Sequence, residues 1–212
     1  MSKATDLQSL AAGVLLASGS PRRSELLSQI ALPHVVAPVP VDETPQPAER
    51  PGDYVLRLSR ANCAAAVAAH QAWLQSGPDR VVLAADTTVV LDDEILGKPV
   101  DDDDGRAMLS ALSGRTHEVM TGVTLHDGVS EVSELTVVQV QFRALAVHEI
   151  AAYVASGEGR DKAGGYGIQG IGGIFASQIS GSYSAVVGLP VESVETLLRA
   201  LEIDPWRLRS YG

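Results

Sequence analysis

Hydrophobic residues along the chain switch repeatedly between the two-residue period of a strand and the 3.6-residue period of a helix. Residues 14–17 are an unbroken apolar run that predicts a buried strand. Leu26, Leu27 and Ile30 then recur at helical spacing over 21–30, with Pro21 suited to a first helical turn. Six prolines from Pro33 to Pro51 predict an extended, looping segment. A second helical stripe, Tyr54, Leu58, Ala61, Ala65 and Ala72, runs over 53–75 until Gly77-Pro78 stops it. The β-branched run over 81–91 predicts a buried strand, and Asp92-Asp93 turns the chain toward Ile95 and Leu96. A helix fits 102–112. Strands over 117–125 and 135–142 follow, with a reversal near Asp127-Gly128. Val138, Val140 and Phe142 alternate there with Gln139 and Gln141, the period of a half-buried strand. A helix over 147–155, a glycine-rich segment over 157–173, two short strands and a last helix over 191–201 complete the order. Such a mixture means α/β or α+β with a partly antiparallel sheet.

Two places depart from simple core patterning. In L-A-S-G-S-P-R-R over 16–23, a strand passes through small residues into a helix start that carries Arg22 and Arg23. Helix N-termini present free N–H groups and a positive dipole end, which suit phosphate, and guanidinium groups bind phosphate oxygens in pairs. Arginine in a first turn opposes the helix dipole, so an anionic partner explains the placement better than a solvated surface does. In V-V-L-A-A-D-T-T-V-V-L over 81–91, Asp86 alone interrupts a strand suited to burial. A buried carboxylate is costly unless paired, hydrogen-bonded or protonated, which makes Asp86 a candidate general base or metal ligand. The alternative is an aspartate that merely ends a strand. Lys98 follows the turn and is placed to return toward Asp86.

Other matches fail on context. Gly165 to Gly170 satisfies G-x-G-x-x-G, but no strand closely precedes it and β-favouring residues follow, so it is not a dinucleotide fingerprint. Asp101 to Asp104 resembles part of a calcium loop, yet Val100 and Ala111 occupy ligand positions; acidic residues favouring a helix N-terminus account for it. His148-Glu149 begins H-E-x-x-H, but Ala152 replaces the second histidine.

Composition narrows the function classes. The 212 residues show no repeat and no low-complexity linker, and so predict a single domain with residues 1–13 as a polar leader and 203–212 as a tail. Lys3 and the apolar residues from Leu10 have the outline of a secretory signal, but Asp6 and Gly13 disrupt it. With 26 acidic against 16 basic side chains and a net charge of −10, the chain lacks the basic face that a nucleic acid or an anionic membrane would require. A polyanionic small molecule remains open, because a few cations can make a local pocket. No apolar run approaches the ~18 residues of a membrane span. Cys63, the only cysteine, excludes an internal disulfide and fits a reducing compartment.

Seven runs in order resemble the Maf family of nucleoside triphosphate pyrophosphatases: L-A-S-G-S-P-R-R-S-E-L-L (16–27), V-D-E-T (41–44), A-D-T-T-V-V (85–90), L-G-K-P (96–99), L-S-G-R-T-H-E-V-M-T-G-V (112–123), D-K-A-G-G-Y-G-I-Q-G (161–170) and G-S-Y-S-A-V-V-G-L-P (181–190). The resemblance covers nearly the whole chain. It implies a two-lobed α/β fold with a mixed sheet flanked by helices and a central cleft, a cytoplasmic location and commonly a homodimer. It also implies cleavage of a nucleoside triphosphate to monophosphate and pyrophosphate with a divalent metal, Mg²⁺ or Mn²⁺. Asp86 matches the family's catalytic aspartate and Glu43 a metal-holding carboxylate, while Ser18, Arg22, Arg23 and Lys98 match the triphosphate cradle. Arg115-Thr116-His117 with Tyr166-Gly-Ile-Gln169 resembles the branch acting on dTTP and UTP, including some modified UTPs, in which Arg22, Thr87 and Gln169 help set specificity. The alternatives are 7-methyl-GTP as substrate, or a nucleotide-binding regulator of cell division with little catalysis. One departure stands out: Asn62 occupies a place where the family usually carries lysine.

Overall fold

The computed structural model describes residues 13–209 and arranges them as a seven-stranded mixed sheet with helices on both faces. In chain order the elements are β1 (Gly13–Leu16), α1 (Pro21–Gln29), β2 (His34–Val36), α2 (Pro51–Gln75), β3 (Arg80–Leu91), β4 (Glu94–Leu96) and α3 (Asp102–Leu112). Then follow β5 (Thr116–His126), β6 (Glu131–Phe142), α4 (Val147–Ser156), β7 (Ala176–Ser180), α5 (Tyr183–Val187), α6 (Val191–Ala200) and α7 (Pro205–Arg209). The strand order is β2-β1-β3-β5-β6-β7, with β4 added to β3. β1 runs parallel to β2 and β3; every other pair is antiparallel.

The partners of β3 change along its length. Arg80–Leu83 pair with β1 and Val89–Leu91 with β4, while β5 accompanies the opposite edge from Val82 to Val90. Residues 84–88 therefore have a strand on one side only, and this gap is the floor of a cleft. Three apolar clusters surround it. Leu15, Val82 and Ala84 pack against Cys63, Ala66, Trp73 and Leu74 of α2. On the other face, Val14, Leu16, Val81 and Leu83 meet Leu26 and Leu27 of α1 and Val194, Leu197 and Leu198 of α6. Beyond the gap, Val89, Val119, Val138 and Val140 join Leu109 and Leu112 of α3 and Ile150, Tyr153 and Val154 of α4. Each fully buried valine or leucine contributes about 1.5–3 kcal/mol relative to exposure, so either side of the cleft has a core of its own. β3 belongs to both.

Four local readings change. The buried stripe of α2 is Val55, Leu58, Ser59, Cys63, Ala66, Trp73 and Leu74, rotated from the expected one; Leu58 is shared, and Ala72 is exposed. Small residues explain the rotation: at Gly122 of β5 a Cβ would lie 2.7 Å from the Val55 carbonyl oxygen, so the helix backbone rests directly on the sheet. The helix also leaves ideal geometry at His70, where φ is −124°. Within the proline-rich segment, His34–Val36 pair with β1 as a three-residue strand. The second of the two expected short strands is helix α5, because the Ser182 hydroxyl accepts the Ala185 N–H at 3.2 Å and outweighs the β preference of Val186 and Val187. Residues 205–209 of the segment read as a tail form α7, with Leu208 buried. Residues 1–12 of the leader, and 210–212, lie outside the described residues.

The dismissed motifs have plain structural uses. Asp101 caps α3 by accepting the Asp104 N–H at 2.8 Å, and Asp102 and Asp103 pair with Arg160 and Arg106. Glu149 accepts the Ala146 N–H at the start of α4 and pairs with Arg143, which holds its carboxyl down at about 2.

Candidate active site

The cleft has a volume of about 720 Å³, and Ser18, Arg22, Arg23, Glu43, Asp86, Thr87, Lys98 and Gln169 all line it. These eight come from five separate stretches of chain, so the fold brings together every residue expected from sequence to contact substrate or metal. The loop after β1 supplies Ser18, buried beneath the N-terminus of α1. Ser20 at the N-cap makes no side-chain cap bond and Pro21 occupies the first turn, so the opening of α1 presents its N–H groups without a capping side chain. The stretch of β3 paired on one side only supplies Asp86 and Thr87, whose side chains leave opposite faces of the strand. Lys98 comes from the loop after β4.

Arg23 is the most constrained cation. Its guanidinium donates to Ser18 Oγ at 2.7 Å, to the Gly188 carbonyl at 2.9 Å and to Thr87 Oγ1 at 3.3 Å. Thr87 is steadied in turn by Thr121 on β5, with hydroxyl oxygens 3.0 Å apart, and Thr121 donates to the Ala185 carbonyl at 2.9 Å. Burial lowers the Arg23 pKa from its ordinary value, opposed by the charge of Asp86. Arg22 reaches across the cleft to Asp161 at 3.4 Å.

Asp86 is half-buried, and burial pushes its carboxyl up to about 6. The attraction of Arg23 opposes that rise, Glu43 adds to it by repulsion, and the Thr87 backbone and Lys98 pull it back. A carboxylate tuned near neutrality beside a helix N-terminus and two cations can take a proton from water while phosphate oxygens occupy the positive groups.

Among the described residues no three histidine, cysteine, aspartate or glutamate side chains form a metal cage. The oxygen donors available are sparse and carboxylic. Exposed Glu43, with Asp86 close enough to feel its charge, suits a hard divalent cation that keeps water and phosphate oxygens in its shell; zinc would require a fuller set of nitrogen or sulfur ligands.

Several lining residues escaped the sequence reading, among them Tyr54, Glu158, Asp161, Lys162 and Gly188. Asp161 and Lys162 stand within a recognised run, which was a usable signal; Glu158 lies just before it and had none. Tyr54 donates to the Glu43 carbonyl at 3.1 Å. Asn62 lines a neighbouring recess of about 450 Å³ that shares Ser18, Arg23, Glu43 and Asp86. Its amide donates to the Leu58 carbonyl at 2.9 Å, and Arg60 turns away to Ser133 and Glu131, so neither supplies the charge that the usual lysine would bring. Arg115 holds Asp92 at 2.7 Å, and His117 contacts Tyr166 with 2.8 Å between ring nitrogen and hydroxyl. Burial lowers the imidazole to about 4, so that contact is made by a neutral ring near pH 7.

The family model described as "Maf-like protein" matches residues 13–201, a span that includes the cleft and all eight residues. The chain belongs to the Maf family. Among its Maf relatives, a protein of Alcanivorax borkumensis named dTTP/UTP pyrophosphatase is 48% identical over 194 residues, covering 91% of this chain and 97% of the relative. A Pasteurella multocida protein with the same name is 45% identical, covering 89% and 96% respectively. One from Shewanella denitrificans, again so named, is 47% identical over 88% of this chain and 95% of its own length.

Proposed function

We propose that this Maf protein hydrolyses dTTP and UTP to the monophosphate and pyrophosphate, removing unwanted nucleotides in the cytoplasm. The observation that carries the reading is the single cleft where an aspartate with a raised pKa meets a positively charged helix start. The dTTP/UTP pyrophosphatase names of the three relatives support the choice of substrate.

In this mechanism Asp86, charged above about pH 6, accepts the proton of a water aimed at the α-phosphorus. Arg23 is held rigidly by Ser18, Thr87 and the Gly188 carbonyl, so it stabilises developing charge without first ordering itself. Arg22, Lys98 and the first turn of α1 complete the cradle for the leaving pyrophosphate. A divalent cation, Mg²⁺ or Mn²⁺, held by Glu43 and substrate oxygens would screen the triphosphate charge. Gln169 offers its carbonyl oxygen as acceptor to the N3–H and its amide N–H as donor to a carbonyl of uracil or thymine.

The test is to incubate purified protein with Mg²⁺ or Mn²⁺ and a panel of canonical triphosphates plus 7-methyl-GTP, resolving all phosphate products. Monophosphate and pyrophosphate from dTTP and UTP are expected. Diphosphate with orthophosphate would refute α–β cleavage, and preference for 7-methyl-GTP would refute the base assignment. Asp86→Asn should bind nucleotide yet lose at least about 10²-fold in kcat, the lower range for losing a general base. Asn62, which itself brings no charge to the recess, favours one second reading, a regulator that binds nucleotide without turning it over. A cellular phenotype that persists with Asp86→Asn would support that reading over the enzyme.

A further inference from the structure

The glycine-rich turn carrying Gln169 is built around one carboxylate. Glu158 follows the C-terminal turn of α4, and its side chain bends back beneath residues 167–172. Its Oε1 accepts the Gly172 N–H at 2.9 Å and the Tyr153 hydroxyl at 3.0 Å, while Oε2 accepts the Ile171 N–H at 2.8 Å. The Tyr153 oxygen accepts the Gly167 N–H at 2.9 Å, so the same pair fixes the other end of the turn. Gln169 lies between these two anchor points.

The fit is close. A Cβ at Gly170 would fall 2.4 Å from Glu158 Oε2, and one at Gly172 would fall 2.8 Å from the Tyr153 oxygen. At Gly167 it would meet Lys162 Cε at 2.9 Å and Glu158 Oε1 at 3.2 Å. None of these three glycines has a positive φ, so it is close contact with the carboxylate, its tyrosine and neighbouring backbone that excludes a side chain here. Lys162 completes the arrangement by donating to the Glu158 main-chain carbonyl at 2.5 Å and to Asp161 at 2.6 Å. Burial favours protonated Glu158, but the N–H groups of Gly172 and Ile171, the Tyr153 hydroxyl and the Lys162 charge outweigh it and hold the pKa below the ordinary value.

We propose that Glu158 is a specificity-positioning residue: its carboxylate fixes the 167–172 turn in the conformation that presents Gln169 to the base, and discrimination between bases depends on it. This rests on the reading of Gln169 as the base contact, but makes a separate claim about what holds it in place. An amide cannot substitute. All three groups facing the Glu158 oxygens are donors, and a glutamine would turn its own N–H₂ against one of them.

The test compares wild type, Glu158→Gln, Tyr153→Phe and Gln169→Ala on dTTP, UTP, dCTP, CTP and dGTP, with melting temperature measured for each. Losing one charge-assisted bond in a half-buried site corresponds to about tenfold. Glu158→Gln is therefore expected to raise KM for the preferred triphosphates about tenfold. Its kcat should stay within about threefold of wild type and KM for the poor substrates should hardly move, so discrimination falls by about the same factor. Tyr153→Phe should act in the same direction by about threefold, and it decides the matter if Glu158→Gln does not fold. A uniform loss across all five triphosphates, or discrimination unchanged within about twofold, overturns the proposal. If Gln169→Ala leaves discrimination intact while Glu158→Gln lowers it, the positioning role stands and the base contact is another group on the turn. If Gln169→Ala lowers discrimination and Glu158→Gln does not, the base contact stands and the positioning role is overturned.

Discussion

Asp86 has a thermodynamic signature as well as a proposed chemical role. Its folded pKa, about 6, lies above the ordinary 3.8, so the native state favours the protonated form. Stability from this group is fully present below about pH 4 and is lost as pH rises through about 6. Asp86→Asn removes the charge but keeps the shape. In chelator-containing buffer the variant should melt above wild type at pH 8, with the difference shrinking to nothing below about pH 4. A variant that melts lower than wild type at pH 8 would show that burial is not what raises the carboxyl. Asn62 is the converse case, a neutral group where a charge is usual. Its amide is satisfied by Leu58 on its own helix, which explains how the position tolerates the loss.

The packing of α2 on the sheet depends on Gly122, and a one-atom change there has a predictable effect. Gly122→Ala places a methyl 2.7 Å from the Val55 carbonyl oxygen, where backbone and not a flexible side chain must yield. Overpacking of this kind costs about 1–3 kcal/mol, which for a chain of this length lowers the melting temperature by roughly 2–12 °C. A melting point unchanged within a degree would mean that α2 rides more loosely than the structure has it. The same contact shows why sequence patterning located α2 but not its phase. The buried side of the helix is chosen by small residues, Cys63, Ala66 and the facing glycine, which give little hydrophobic contrast. Strands with strong alternation, such as Val138, Val140 and Phe142, were legible because only one of their faces is apolar. Short elements were not: β2 has three residues between prolines, and a serine cap decided α5 against its valines. Of the cleft residues, Arg22, Arg23 and Asp86 were legible because each breaks a local rule, as Asp86 does within an apolar strand, and Lys98 from its place after a turn; Ser18, Glu43, Thr87 and Gln169 were reached only through the family resemblance. Glu158 breaks none, since its meaning lies in the backbone N–H groups that reach it from 13 and 14 residues away.

The net charge of −10 does not describe what a nucleotide meets. Arg22, Arg23 and Lys98 are gathered at one opening, and Asp161 pairs with Arg22 there. No helix among the described residues is long and apolar enough to cross a membrane. Two cores flank the cleft, yet both include β3, whose hydrogen bonds to β5 run unbroken from Val82 to Val90. A hinge between the halves would have to bend that ladder through Asp86 itself. Rigid-body closure of the two halves is therefore expected to be small, with adjustment to substrate expected in the segments at 41–50 and 157–173. A non-hydrolysable triphosphate should accordingly slow amide exchange in those segments while leaving the radius of gyration measured by X-ray scattering unchanged. A contraction of the kind seen when hinged domains shut would contradict this. The strand that carries Asp86 is thus also expected to keep the cleft from changing shape by swinging, so that substrates would be sorted by how they fit a mouth of nearly constant width.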